Sequence, residues 1–173
     1  MIVKVNDKMQ RYSYKLTAPT GRQLDFAPAY TPKQMLAMGV FEGKYCRDCR
    51  GEFPASWFTR ARFAKDAADP ELNYFKIKSR LSLQEWRRRG WIPIAPGDHD
   101  VRGWFQWYMR YYYGRRQPEI DKIQIARWRA ITRHSAQVKK HCTHQKAGRC
   151  SDPLHCRPRQ RQVLLQWSWD CLI

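Results

Sequence analysis

Carboxylates are scarce in this chain of 173 residues: 15 Asp and Glu stand against 33 Lys and Arg, for a formal charge of +18. Self-repulsion of that size opposes compaction unless an anion compensates, and the usual compensating anion is a nucleic acid backbone. Long hydrophobic runs are missing too. No stretch of about 20 apolar residues is present to span a bilayer, and no lipidation motif marks a membrane anchor. The opening Met1-Ile2-Val3-Lys4-Val5-Asn6-Asp7 leads into no apolar segment of the kind a secretion signal needs. A cytoplasmic, nucleoid or nuclear protein is therefore expected, and an anionic membrane surface is the weaker partner class.

Several catalytic signatures are also lacking. There is no Gly-rich phosphate loop, no Ser-centred nucleophile elbow and no zinc-protease helix. No helix-turn-helix, RRM or KH pattern names a groove or a base code. Internal repeats, low-complexity tracts and composition breaks are absent, so one domain is expected. Aromatics, by contrast, make up 14% of the residues, ample material for a core.

The aromatics concentrate in Trp104-Phe105-Gln106-Trp107-Tyr108-Met109-Arg110-Tyr111-Tyr112-Tyr113. At about 100° per residue they fill most of a helical wheel, which suits a helix in the middle of a core. Asp100 is the expected N-cap and Gly114 the stop. Pro118 opens a second helix reaching Lys140. Its Ile120, Trp128, Ile131, Ser135 and Val138 share one face, while Lys122, Arg129, Arg133 and Lys140 fall within about 20° of one line opposite. Such a ridge is either a solvated face or a track for phosphates, and the total charge favours the track.

Elsewhere, Tyr12, Tyr14 and Leu16 alternate with polar residues as a strand would, and Val3 and Val5 can pair with them; a small hairpin and an extended arm are both open. Arg11, Lys15 and Arg22 would make an arm a phosphate-contacting tail. Thr31 and Gln34 have capping-box spacing around Pro32, with Gly39 as the helix stop. Pro54 starts a predicted helix bearing Trp57, Phe58, Ala61 and Phe63. Asn73–Ile77 reads as a helical turn after an Asp69 cap or as a short strand. Ser82 and Glu85 suggest another capping box, before three arginines (87–89) that suit either a helix C-terminus or a phosphate contact. Pro93 and Pro96 mark a loop, and Pro158 opens a last helix with Val163, Leu164 and Trp167 on one face. The expected fold is mainly α: a single compact helical domain over residues 31–173, an N-terminal arm or β-hairpin over 1–30, and a Cys/His-bearing loop.

The segments Gly39-Val40-Phe41-Glu42-Gly43-Lys44-Tyr45, Glu52-Phe53-Pro54-Ala55-Ser56-Trp57-Phe58, Arg102-Gly103-Trp104-Phe105-Gln106-Trp107-Tyr108 with Gly114-Arg115-Arg116, and Arg157-Pro158-Arg159-Gln160-Arg161-Gln162 resemble signature segments of an uncharacterised microbial and viral protein family. The resemblance runs from about residue 31 onward. It implies one compact domain and carries no catalytic residues with it.

Three sets of residues carry candidate chemistry. Cys46-x2-Cys49 has the half-site spacing of zinc ribbons, and a second cluster runs from His141-Cys142-Thr143-His144 through Cys150, His155 and Cys156. Either Cys46 and Cys49 join two ligands of the distal cluster, or Cys142, His144, Cys150 and Cys156 close a site alone; free thiols are the alternative. The zinc would be structural, pinning a loop too polar to fold unaided. The nucleic-acid surface would comprise Arg102, Arg110, Arg115, Arg116, Lys122, Arg129, Arg133, Lys140, Arg157, Arg159 and Arg161, with Trp91 or Trp104 stacking on a base. Asp48, Glu52, His99 and Asp100 are the catalytic candidates, as carboxylates and an imidazole beside a basic cleft, for base excision, strand cleavage or base modification. Capping and salt bridging compete with that role. A DNA- or RNA-binding protein, catalytic or not, is thus the leading expectation. A non-catalytic component of a ribonucleoprotein or viral assembly, and a regulator of an acidic protein, are the others.

Overall fold

Val3 and Val5 project to one side of strand β1 (Ile2–Asn6), and Tyr14 to the same side of β2 (Arg11–Lys15). The two strands pair antiparallel, with Val3 opposite Tyr14 and Val5 opposite Tyr12. Asp7 closes the turn, its Oδ1 accepting from the amides of Met9 (2.7 Å) and Gln10 (3.1 Å). The N-terminal segment is thus a hairpin, and its apolar face is what holds it down.

These features come from a computed structural model, which describes residues 1–21, 26–78, 81–90, 92 and 98–173. Arg22, Trp91, Pro93 and Pro96, all given roles above, lie outside the described residues. Helix accounts for 39% of the description and strand for 11%. The helices are α1 (Pro32–Ala37), α2 (Leu83–Arg88), α3 (Trp104–Tyr113), α4 (Pro118–Ala130), α5 (Thr132–Lys140) and α6 (Pro158–Gln166), with a two-residue hairpin of β3 (Gln145–Lys146) and β4 (Arg149–Cys150) between the last two.

Local signals explain most of these limits. Thr31 and Gln34 form the reciprocal capping box of α1. Gly39 follows α1 at φ 62°, where a Cβ would run into the Leu72 carbonyl. Gly114 ends α3 at φ 118°, in close approach to the Ala18 carbonyl. Pro118 and Pro158 sit at helix starts. Three expectations are corrected. The stretch after Pro54 forms only a 3-10 turn, Ala55–Trp57. The long second helix breaks at Ile131 into α4 and α5, with His134 N bonded to Ile131 O in a tighter turn. The cap of α3 is Gly103 at φ 85°, because the Asp100 carboxylate is engaged by arginines instead.

Helix α3 is the axis of the core. Trp107, Tyr108 and Met109 are fully buried, and Phe26, from the segment expected to be an arm, packs its ring against Trp104, Trp107, Tyr108, Tyr111 and Trp128 at 5.0–6.2 Å. The C-terminal tail closes over the same region: Ala29 N donates to Ser168 O (2.7 Å), and Tyr108 Oη donates to Tyr30 O (2.7 Å). No helix of the described residues is long and apolar enough to cross a membrane.

Candidate metal centre and nucleic-acid interface

The polar edge of α3 does not face solvent. Arg110 is fully buried; its Nε and Nη2 form a two-pronged bond with Glu52 (2.5 and 3.0 Å), and its Nη1 reaches Asp100 (3.0 Å) and His99 O (2.7 Å). Arg115 donates to the other Asp100 oxygen at 2.6 Å. Arg102 bridges Asp7 (3.0 Å) and Asp48 (2.8 Å). Tyr14 adds a bond from its hydroxyl to Glu52 at 3.0 Å, and its own ionisation is pushed up by burial and by that carboxylate. Four carboxylates and three guanidiniums therefore rivet the hairpin to α3.

That arrangement corrects two expectations. Arg102, Arg110 and Arg115 are not part of a nucleic-acid surface, because each is buried and committed to carboxylates. Arg161 is withdrawn as well: it is fully buried and donates to the carbonyls of Cys156 (2.7 Å), Cys171 (2.9 Å) and Ile173 (2.6 Å). Glu52 and Asp100, offered as catalytic candidates, are the anionic half of the same network. His99 stacks on Tyr12 with ring centroids 3.9 Å apart, and Asp48 keeps a partly exposed side chain beside Arg102. Arg116 is half-buried, bonded to Tyr111 O and lying 3.9 Å over the Tyr111 ring. Trp104 is core, its indole N–H donating to Gln124 O. In α2, Ser82 caps Glu85 N, and Arg88 and Arg89 close on the Glu85 carboxylate. Their hydrogen bonds draw that carboxyl down to about 2.

The cations that remain outside lie along α4, α5 and beyond. Lys122, Arg129, Arg133 and Lys140 are all exposed, opposite the buried Ile120, Ile125, Ser135 and Val138. Lys122, Arg133 and Lys140 make no ion pair with a carboxylate among the described residues. Arg159 is exposed, and Arg157 is half-buried with its Nε on His141 O. Between Lys122 and Arg161 the chain holds eleven Lys and Arg and one carboxylate, Asp152, which pairs with His155. The positive charge is therefore concentrated in the C-terminal half, while five acids elsewhere, Asp7, Asp48, Glu52, Glu85 and Asp100, are paired with arginines.

At the end of this basic run the β3–β4 hairpin brings Cys142, Cys150 and Cys156 together, with their sulfurs all within 4.8 Å of one another and Cys142 and Cys156 at 3.4 Å. Sulfurs sharing a tetrahedral zinc at about 2.3 Å stand roughly 3.8 Å apart, so the cluster is compatible with a structural metal. Arg161 Nη2 lies 3.6 Å from Cys142 and 3.9 Å from Cys156. Desolvation pushes the Cys142 thiol up, but the His144 amide, the neighbouring thiols and Arg161 outweigh it and bring it down to about 7. The same contest leaves Cys156 lowered: desolvation opposes, while the His144 side chain and Arg161 favour the thiolate. Cys46 and Cys49 take no part. Both are buried in the main core, Cys46 beside Met109, which removes the reading that joined them to the distal ligands.

What the sequence missed here is Arg161. Its helical position suits an exposed cation equally well; three nearby cysteines are the available hint that a buried cation is needed. Protein-family models, curated proteins and solved structures offer no match to the chain.

Proposed function

We propose that the protein binds nucleic acid through the cationic face of α4 and α5, and that a structural zinc fixes the loop that follows. The observation that carries the reading is the set Lys122, Arg129, Arg133 and Lys140: four exposed cations on the two successive helices α4 and α5, in a segment almost without acids. Each of the four cations can meet one phosphate of a nucleic-acid backbone. Nothing in this contact reads bases, so the binding is to the backbone and depends on salt.

Zinc belongs to the same reading. Cys142, Cys150 and Cys156 supply three thiolates, and His144, whose ring interacts with Cys156 but stands outside the group of close ligand atoms, is the proposed fourth ligand. Three thiolates, one neutral imidazole and Zn²⁺ leave one negative charge, which Arg161 offsets. The metal clamps the end of α5 to the start of α6.

The test compares the protein with a variant carrying Lys122, Arg129, Arg133 and Lys140 all changed to Gln. Duplex binding is measured by fluorescence anisotropy between 50 and 200 mM salt. Loss of four phosphate contacts lowers the slope of log K against log salt by about 3.6. An unchanged slope would sink the proposal.

A further inference from the structure

A cavity of about 440 Å³ opens between α2, the loop of residues 41–48, the first turn of α3 and the end of α6. That volume lies in the range of small-ligand sites, and its surface is mostly apolar, with six aromatic side chains on it. One wall is a cluster of Phe41, Tyr45 and Phe105, with ring centroids 4.7–5.1 Å apart. Trp104 and Trp167, 5.0 Å apart, form the floor, and Trp86 of α2 lines the outer side. Flat apolar walls of this kind suit a flat ring.

The charged groups on the lining are Glu42, Lys44, Asp48, Lys78 and Arg102. Asp48 lines the cavity with Oδ2 accepting from Arg102, and no hydrogen bond from a described residue reaches its Oδ1. Lys44 and Lys78 also line it; both are exposed and neither makes an ion pair with a described residue. The Asp48 carboxylate at the exposed side, the buried Glu42 carboxylate and two exposed cations complement a ring that carries an N–H donor and is tethered to phosphate.

We propose that this cavity binds a nucleobase bearing an exocyclic amino group, which donates to Asp48 Oδ1, with the attached phosphate directed to Lys44 and Lys78. The inference deepens the nucleic-acid reading above and rests on it for the choice of ligand. Base recognition is thereby separated in space from the backbone contacts of α4 and α5: the aromatic pocket reads one unpaired base, and the ridge holds the strand. Trp104 does meet a base in this arrangement, but as the floor of a cavity and not as an exposed platform.

The test titrates the whole protein with AMP, CMP and UMP at fixed ionic strength, following tryptophan fluorescence and confirming binding by equilibrium dialysis. AMP and CMP are expected to bind at least tenfold more tightly than UMP, which lacks the amino group. Asp48→Asn removes that preference. Trp86→Ala, on an exposed short helix where folding is little disturbed, weakens AMP by about tenfold with circular dichroism unchanged. The proposal is overturned if no nucleotide binds, if ribose 5-phosphate competes as well as AMP, or if indole binds as tightly as AMP. A single-stranded oligonucleotide with one adenine among abasic sites, compared with AMP, shows whether the base arrives in a strand or as a free nucleotide; the pocket stands in both cases. The four-Gln ridge variant keeps AMP binding whatever becomes of its duplex binding, so failure of the pocket and failure of the interface are read separately.

Discussion

Glu52 accepts three hydrogen bonds, two from Arg110 and one from Tyr14, with almost none of its side chain exposed. Its charge is what allows a fully buried guanidinium to sit in the middle of an aromatic helix. Removing one partner of such a pair leaves the other charge uncompensated, which costs far more than the intact pair contributes. Glu52→Gln is therefore expected to destabilise the fold by about 3–5 kcal/mol, seen as a lower urea midpoint at unchanged slope. Asp48→Asn should cost no more than about 1 kcal/mol, because that side chain is partly exposed and Arg102 keeps its bond to Asp7. If the two variants unfold at the same urea concentration, the buried network is not what fastens the hairpin. Their difference also bears on the catalytic expectation, since a carboxylate held by three donors is poorly placed to accept a substrate proton.

Helix α3 and the β1–β2 hairpin show at the scale of elements what each could announce in advance. The strand alternation of Val3, Val5, Tyr12 and Tyr14, the capping box at Thr31, the stop at Gly114 and the starts at Pro118 and Pro158 are local, and each appears as read. The tertiary role of the arginines was not legible, because Arg102 and Arg110 lie on the polar side of the wheel whether that side meets water or meets Asp7, Glu52 and Asp100. Only the partners decide, and they lie 10–95 residues away in the chain. In the same way Cys46-x2-Cys49 has metal spacing but packs as core, while the less regular spacing of Cys142, Cys150 and Cys156 converges through a two-residue hairpin. The hairpin's attachment carries a pH signature. Desolvation raises the Asp7 carboxyl, but the bonds from Arg102 and from the Met9 and Gln10 amides outweigh it and hold the group below its ordinary 3.8. A lowered folded pKa means that the contribution is fully present above that value and is lost as pH falls through the folded one. Asp7→Asn should thus lower stability at neutral pH and flatten the acid limb of the stability curve below about pH 4, as followed by thermal melts. A melting profile with the same acid limb in both proteins would show that Asp7 gains nothing from Arg102.

Across the whole molecule, ion pairs and the cysteine cluster divide the labour. Around α3, Arg102, Arg110 and Arg115 are neutralised inside the structure by Asp7, Asp48, Glu52 and Asp100. From Lys122 onward most of the cations are exposed with few acids to offset them, and that part must hold its shape against its own repulsion. Its tail is tied by Arg161, which grips the carbonyls of Cys171 and Ile173 on one side and the Cys142 and Cys156 sulfurs on the other. Filling the cluster with zinc would make one rigid joint of the end of α5, the β3–β4 hairpin and the start of α6, and emptying it would release three mutually close sulfurs around a buried guanidinium. Zinc removal by a chelator should therefore lower the melting temperature and raise amide exchange in residues 138–156, while the hairpin and α3, held by their own ion pairs, stay protected. Cys150→Ser should reproduce the effect without chelator, and Cys46→Ser should leave the metal content at one per chain. Equal exchange in both halves, or full metal content in Cys150→Ser, would mean that the cluster is not the joint that sets the cationic face.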